Sequence, residues 1–315
     1  MLSSRTKEVA DMRYAFWTVD VFTDRAFGGN GLAVLPYANG LTTEQMQRIA
    51  REFNLSETAF VFPPESSEHD FRVRIFTPAQ ELPFAGHPTV GTAFVLAACG
   101  RVEMKGASTR VVLGEGVGPV AVDVEARDGS PVYSRLSAAQ MPTWGPEPPS
   151  IEKLAAMLSL SPDDLLDDER DHPQSVSCGV PFLFVPLKSL DAVRRARLDW
   201  EWSTNLLRPY WAKLVYVFAH DAENPGCGVH ARSFTRAAGI EEDPATGSAC
   251  SALAGYLAKR EGLKDGTGRW RVEQGIEMGR PSFLDVEADA NSGTLTRVCV
   301  GGQSVIISEG HLIVP

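Results

Sequence analysis

A chain of 315 residues has room for two domains of ordinary size, each large enough to bury its own core. The 43% apolar and 22% charged content is that of a globular protein, and a net charge of −10 argues against nucleic acid or an anionic membrane as partner, since both select basic surfaces. Five widely spaced cysteines without a CxxC pair, and six histidines without HxH or HExxH spacing, give no disulfide framework and no expected metal site.

The opening residues MLSSRTKEVADM are polar, so no signal peptide is expected, and no apolar run approaches the roughly 18 residues of a membrane span. The chain therefore reads as cytoplasmic, with reduced cysteines. From Tyr14 the run YAFWTVDVFT predicts a strand, followed by the turn cluster Gly28-Gly29-Asn30-Gly31 and a second strand, LAVLP. Thr42 or Thr43 can cap a helix to about Phe53, with Met46, Ile49, Ala50 and Phe53 at helical spacing. TAFVFP and FRVRIFTP predict strands. After the turn Pro83–Pro88, a helix is expected from about Thr89 to Cys99, ended by Gly100. Its sequence is apolar all round, which predicts burial on every side. VVLGEGVGPVAVDVEA predicts two strands, and the proline-rich stretch from Pro131 to Pro149 reads as an irregular linker.

The second half follows the same plan. IEKLAAMLSL and DDLLDDER predict a polar-faced helical region, and CGVPFLFVPL, LVYVFAHD and VHARSFTR predict strands. Asp243-Pro244-Ala245-Thr246-Gly247-Ser248 opens a helix from about Ala249 to Arg260, ended by Gly262, and WRVEQG, FLDVEAD, RVCVGGQ and SVIISEG predict four closing strands. Aligning Ala85-Gly86-His87 with Ala245-Thr246-Gly247 takes an offset of 160, about half the chain. The alternatives are an internal duplication and a chance likeness of two short small-residue turns. The expected fold is α+β, with two pseudo-duplicate domains over 12–130 and 131–302. Each would be a mostly antiparallel, barrel-like sheet around a central buried helix, with the last strand, about 303–315, a candidate to complete the first. The site is expected in the cleft between them.

The N-terminus of a buried helix has unpaired N–H groups and a partial positive charge, so two such termini suit an anion. Gly86, Thr246 and Gly247 would bare the amides, and Ser248 adds a hydroxyl. Glu57 precedes an apolar strand, where a carboxyl is pushed towards neutral pH and suits proton transfer; its bland alternative is an exposed glutamate at a turn. His87 could be a neutral proton donor or acceptor or a turn cap, and Asp243 a site acid or a helix cap. Arg232, Arg236 and Arg280 could bind a substrate carboxylate or be solvated surface groups.

The segments SETAFVF, ELPFAGHPTVGTA, EDPATGSACSALAGYL and QGIEMGRPS together resemble the PhzF-like isomerase family, with the same order of motifs over essentially the whole chain. The resemblance implies a diaminopimelate epimerase-like fold and a cofactor-independent isomerase acting on a small anionic carboxylate like trans-2,3-dihydro-3-hydroxyanthranilate. It further implies Glu57 as proton shuttle, with His87, Asp243 and Ser248 matching the family's site and a homodimer expected. Where the family's early turn often reads GNP, this chain has Gly29-Asn30-Gly31, and Gly31 is expected to loosen that loop at the pocket rim. Related epimerases and racemases use two thiols before the helix turns. Here Ala85 and, by the nearest alignment, Pro244 stand in those places, and Cys250 is expected inside the helix, facing the packed interior. The competing readings are a non-catalytic anion-binding protein and an amino-acid epimerase or racemase.

Overall fold

The computed structural model describes residues 12–236 and 240–314, so the polar opening stretch, apart from Met12, lies outside the described residues. In the first part of the chain lie β1 (Met12–Val21), β2 (Asn30–Leu35), α1 (Thr43–Phe53), β3 (Glu57–Phe62), β4 (Phe71–Phe76), β5 (Glu81–Leu82), α2 (Gly86–Ala98), β6 (Ser108–Glu115), β7 (Gly118–Arg127) and β8 (Ser130–Ser137). There follow β9 (Thr143–Trp144), α3 (Ile151–Met157), β10 (Gln174–Ser177), β11 (Pro181–Pro186), α4 (Leu190–Arg195), α5 (Trp200–Leu207), β12 (Leu214–Ala219) and β13 (Val229–Phe234). The chain closes with β14 (Glu242–Asp243), α6 (Gly247–Arg260), β15 (Gly266–Gln274), β16 (Ser282–Asn291) and β17 (Thr294–Val314). All strands join one seventeen-stranded sheet, a mixed α+β fold with few helices among the described residues.

The pairing senses recur. β1–β2 is antiparallel, β2–β3 parallel, β3–β4 antiparallel, β4–β6 parallel, and β6–β7 and β7–β8 antiparallel. From β10 the same series runs antiparallel to β11, parallel to β12, antiparallel to β13, parallel to β15, then antiparallel through β16 to β17. β17 pairs first with β16 and β8, then runs antiparallel to the whole of β1.

Helices α2 and α6 are buried along nearly their whole length and share one core with the inner faces of the strands. Each fully buried Val, Leu or Phe there contributes about 1.5–3 kcal/mol through water release. The connecting strands are covered on both sides. On β11 and β12, Phe182, Phe184, Tyr216 and Phe218 face that core, while Leu183, Val185, Val215 and Val217 pack under α3, α4 and α5. Likewise Val34, Ala59 and Val61 face the shared core while Leu35 and Phe60 pack with Met46 and Ile49 of α1. Two-sided burial is why these strands read as continuous apolar runs. Helix α1 keeps its predicted bounds, held by a capping box between Thr42 and Gln45 and stopped by left-handed Asn54.

Several expectations change. The Pro131–Pro149 stretch is not irregular throughout, because its first residues belong to β8, which packs on α2. Pro131 is tolerated there because it sits beside the β-bulge at Glu125/Ala126. Beyond α3, DDLLDDER forms only a short 3₁₀ turn at Pro162–Asp164. The strand expected from CGVPFLFVPL is β11, preceded by the unforeseen β10, and the two expected final strands are the single 21-residue β17. Gly31 does not loosen a loop: it lies within β2, paired with Asp20 of β1.

Candidate functional site

Helices α2 and α6 meet end to end. A Cβ built on Gly86 would lie 2.8 Å from the Ser248 backbone nitrogen and 3.0 Å from the Gly247 carbonyl carbon. Both helices start earlier than expected, at Gly86 and Gly247. The two starts lie 161 residues apart, and the residues directly before them are Ala85 and Thr246. Neither start has a side-chain cap or an acidic residue in its first turn, so the positive ends of both dipoles meet in one place.

Around this junction the sheet delivers the ionisable groups. Glu57 opens β3 beside Leu32 of β2, and it is not an exposed turn glutamate but only 9% exposed. Its Oε2 is 3.3 Å from His87 Nε2, yet the two meet outside hydrogen-bond alignment, so both atoms are buried without a bonded partner. Burial, and then the charge of Asp243, raises the Glu57 pKa well above the ordinary carboxylate value. Burial pulls His87 down to about 3 despite the backbone of Gly31, so its ring is neutral at physiological pH. Asp243 lies in β14 rather than at the helix cap, paired with Ser233. Burial pushes it up to about 6, against the hydrogen bonds from Thr246 and Asn30.

Asn30 joins these groups. Its Nδ2 donates to Asp243 Oδ1 at 2.7 Å and to the Ala245 carbonyl at 3.1 Å, and lies 3.2 Å from His87 Nδ1. Turning the amide over would set oxygen against a carboxylate and a carbonyl, so the partners fix its orientation. Gln274 forms the floor on the other side: its Nε2 donates to the Asp243 carbonyl at 2.6 Å and to Thr246 Oγ1 at 3.0 Å. The chain reading missed both residues. In the sequence Asn30 signals only a glycine-rich turn and Gln274 only a strand end.

Thr246 is already engaged, with its hydroxyl donating to Asp243 Oδ2 at 2.5 Å and its N–H to Gln274 Oε1 at 3.3 Å. The Ser248 hydroxyl, half-buried, has no partner among the described residues. The arginines do not come to the site as free cations. Arg232 is buried in a bidentate pair with Glu242, Arg236 lies over Trp200 near Glu241, and Arg280 is bound to Asp20, Gly28 and Gly29. Cys250 is fully buried in α6, its thiol 3.3 Å from the Tyr216 hydroxyl and pushed up to about 12 by burial. Among the described residues no group of three or more His, Cys, Asp or Glu is placed to hold a metal ion, and no helix is long and apolar enough to cross a membrane. A surface cleft of about 630 Å³ lined by Arg72, Arg74, Glu81 and Glu115 includes none of Glu57, His87 and Asp243, which sit in a closed junction.

Similarity to known proteins extends over nearly the full length of the chain. A protein from Mesorhizobium japonicum, described as an uncharacterised isomerase, is 40% identical over 304 residues, covering 94% of this chain and 97% of that protein. The trans-2,3-dihydro-3-hydroxyanthranilate isomerase of Pseudomonas chlororaphis is 34% identical, covering 94% of this chain and 98% of the enzyme. The crystal structure of a PhzF-family phenazine biosynthesis protein from Bacillus anthracis superposes with a TM-score of 0.85 at 28% identity, covering 96% of this chain and all of that one. The family model for phenazine biosynthesis-like proteins, PhzC-PhzF, matches residues 19–310, and the chain therefore belongs to this enzyme family, whose relatives are named isomerases.

Proposed function

We propose that this chain is a cofactor-independent isomerase that moves a proton on a small carboxylate substrate of the trans-2,3-dihydro-3-hydroxyanthranilate type, with Glu57 as the acid/base. The observation that carries the reading is a buried carboxyl whose Oε2 has no hydrogen-bonded partner, 3.3 Å from a neutral imidazole and beside two opposed helix starts. A carboxyl with its pKa lifted by burial can take a proton and return it within one cycle. The neutral ring of His87 can hydrogen-bond Glu57 in either protonation state without adding a second charge. The amides of Gly247 and Ser248, the Ser248 hydroxyl and the Gly86 end of α2 are the groups left to receive a substrate carboxylate. Each charge-assisted bond is worth about 1.5–3 kcal/mol. The same dipoles favour the negative charge that builds as a proton leaves carbon. The Pseudomonas relatives named for this reaction, at about one-third identity, support the substrate class.

A two-thiol racemase fits less well, since Ala85 and Thr246 stand at the two helix starts and the Cys250 thiol is sealed in the core. A purely anion-binding role would leave the cost of an unpartnered buried carboxyl unexplained. We further read the chain as a duplicated pair of sheets, each around its own helix, on the recurrence of pairing senses. The five free cysteines suit a reducing, cytoplasmic setting.

Incubation with trans-2,3-dihydro-3-hydroxyanthranilate in D₂O tests the reaction. The wild type should turn it over with deuterium entering from solvent. Glu57→Gln should lose about 10²–10⁴-fold in turnover, the usual worth of an acid/base, while still binding the ligand. Near-normal turnover by the Gln variant would rule out Glu57 as the shuttle.

A further inference from the structure

The loop that follows β15 touches both sides of the site. At its start, Gln274 supports Asp243 and Thr246. Six residues later the guanidinium of Arg280 reaches over to the segment before β2. Its Nε donates to the Gly29 carbonyl at 2.8 Å, and its Nη2 donates to the Gly28 carbonyl and to Asp20 Oδ1, both at 2.6 Å. The other oxygen of Asp20 accepts from the Phe27 N–H at 2.7 Å, and the Gly29 N–H donates to the Pro281 carbonyl at 3.0 Å. The next residue is Asn30. Gly29 has φ +60°, and a Cβ on Gly28 would lie 2.8 Å from the Pro281 carbonyl oxygen, so this closeness requires both glycines.

The loop has its own anchor. His230 is fully buried between two carboxylates, Nδ1 2.6 Å from Glu273 and Nε2 2.8 Å from Glu277. Burial opposes a charge on the ring, but the two carboxylates outweigh it and lift His230 to about 9. Glu277 is thus tied to an imidazolium three residues before Arg280. Compact turns from Gly275 to Met278 and Arg280 stiffen the span between.

We infer that Arg280 is a positioning residue for the proton-transfer site: anchored through Glu277 and His230, it fixes Gly28 and Gly29 so that the Asn30 amide meets Asp243. The planar fork suits this place, because the acceptors are served from two separate nitrogens, Nε and Nη2, whereas an ammonium has its three donors on one atom and cannot span them in the same way. The inference rests on the proposed reading of Glu57, His87 and Asp243 as the site, but its test does not need turnover.

The titration of the Asp243 carboxyl, followed by carbon NMR and assigned by its loss in Asp243→Asn, is the readout. The titratable groups facing Asp243 are Glu57, Glu242, Tyr216 and Cys250, with His87 across the Asn30 amide, and its donors are Thr246 and Asn30, so weakening the Asn30 bond should raise the midpoint. Arg280→Gln should raise it by about one pH unit, as expected for loss of a hydrogen bond to a charged group. Arg280→Lys should recover part of the shift. Asn30→Ala should reproduce it, and the double variant should add nothing further, because both changes break the same contact. An unmoved midpoint in folded Arg280→Gln, or full additivity in the double variant, overturns the inference. If Arg280→Gln does not fold, Asp20→Asn decides by the same midpoint. Merely lowered stability would leave the midpoint where it is. A shifted midpoint in a protein that never exchanges deuterium into the dihydroanthranilate would retain Arg280 as positioner and sink the proposed reaction.

Discussion

Ionising a buried carboxyl without compensating partners is costly, and burial, which lifts Glu57 and Asp243, also lifts Glu115, at the end of β6. Thr89 donates to its Oε1 at 2.7 Å, while Oε2 is buried with no partner. Burial outweighs the Thr89 bond and pushes the group up to about 8, against about 4.3 for an unfolded glutamate. The folded state therefore holds this proton more tightly. The stabilisation is complete below about pH 4.3 and is lost as pH rises through about 8. Glu115→Gln keeps the shape and an acceptor for Thr89 but cannot ionise. It should match the wild type in urea unfolding at about pH 4 and be more stable by about 1–3 kcal/mol at about pH 8.5, a discounted fraction of the linkage limit. Equal differences at the two pH values would show that Glu115 is not held neutral by the fold. Of the polar groups at the candidate site, Glu57 was legible as a candidate because it directly precedes the apolar run TAFVF, and it is the pairing of β3 with β2 that makes it buried rather than exposed at a turn. Asn30 was not, since asparagine among glycines signals a turn, and only pairing of β2 with β1 carries it inside.

At the scale of elements, the two buried helices were legible, α2 from its almost wholly apolar sequence and α6 from an apolar start rich in small residues, and their first turns were not. Pro88 reads as a stop before a helix, yet it fits the first turn of α2, where an N–H has no intrahelical acceptor anyway. Helices α4 and α5, of 6 and 8 residues, are too short for a periodic signal, though Ser189 and Asp199 cap them. Gly301 and Gly302 lie near the end of RVCVGGQ, the first of the two strands expected where β17 runs unbroken. In the fold they make room, since Cβ atoms there would meet the Tyr133 hydroxyl at 2.5 Å and Phe22 at 2.7 Å. The junction of α2 and α6 gives the sharpest test of these elements. Gly86 is not in a left-handed conformation, so alanine suits its helical backbone and removes unfolded-state freedom. The added methyl would nevertheless strike the backbone of Gly247 and Ser248 at 2.8–3.1 Å, and backbone cannot step aside as a side chain can. Gly86→Ala should therefore lower the melting temperature by several degrees, as overpacking by about 1–3 kcal/mol does, and lower turnover by about 10²-fold, the scale of an ångström's misplacement. Full activity in a folded Gly86→Ala protein would mean that the two helix starts need not touch during the reaction.

Across the whole molecule, the longest-range pairing ties the two ends of the sheet. β1 pairs with β17 from Met12↔Val314 to Val21↔Ser304, while its other edge pairs with β2 over Trp17–Val21 only. Contacts nearly three hundred residues apart are entropically expensive to close, so their persistence in the fold requires compensating burial. That burial is visible in the cluster where Val314 and Leu312 pack with Tyr14, Leu35 and Phe60. Asp20, which orders the segment before Asn30, also lies on β1, so the far end of the chain bears on the candidate site through the strand that it supports. A chain ending at Gln303 would strip β1 of its longer ladder and open this cluster to water. Hydrogen exchange read by mass spectrometry should then show residues 12–21 and 30–35 losing protection, whereas α6, β15 and β16, whose partners are intact, keep theirs. Melting should broaden or split, because the two groups of strands no longer unfold together. If β1 keeps its wild-type protection in the shortened chain, its pairing with β2 is sufficient, and the end of β17 is an added strand rather than the element that holds β1 in place.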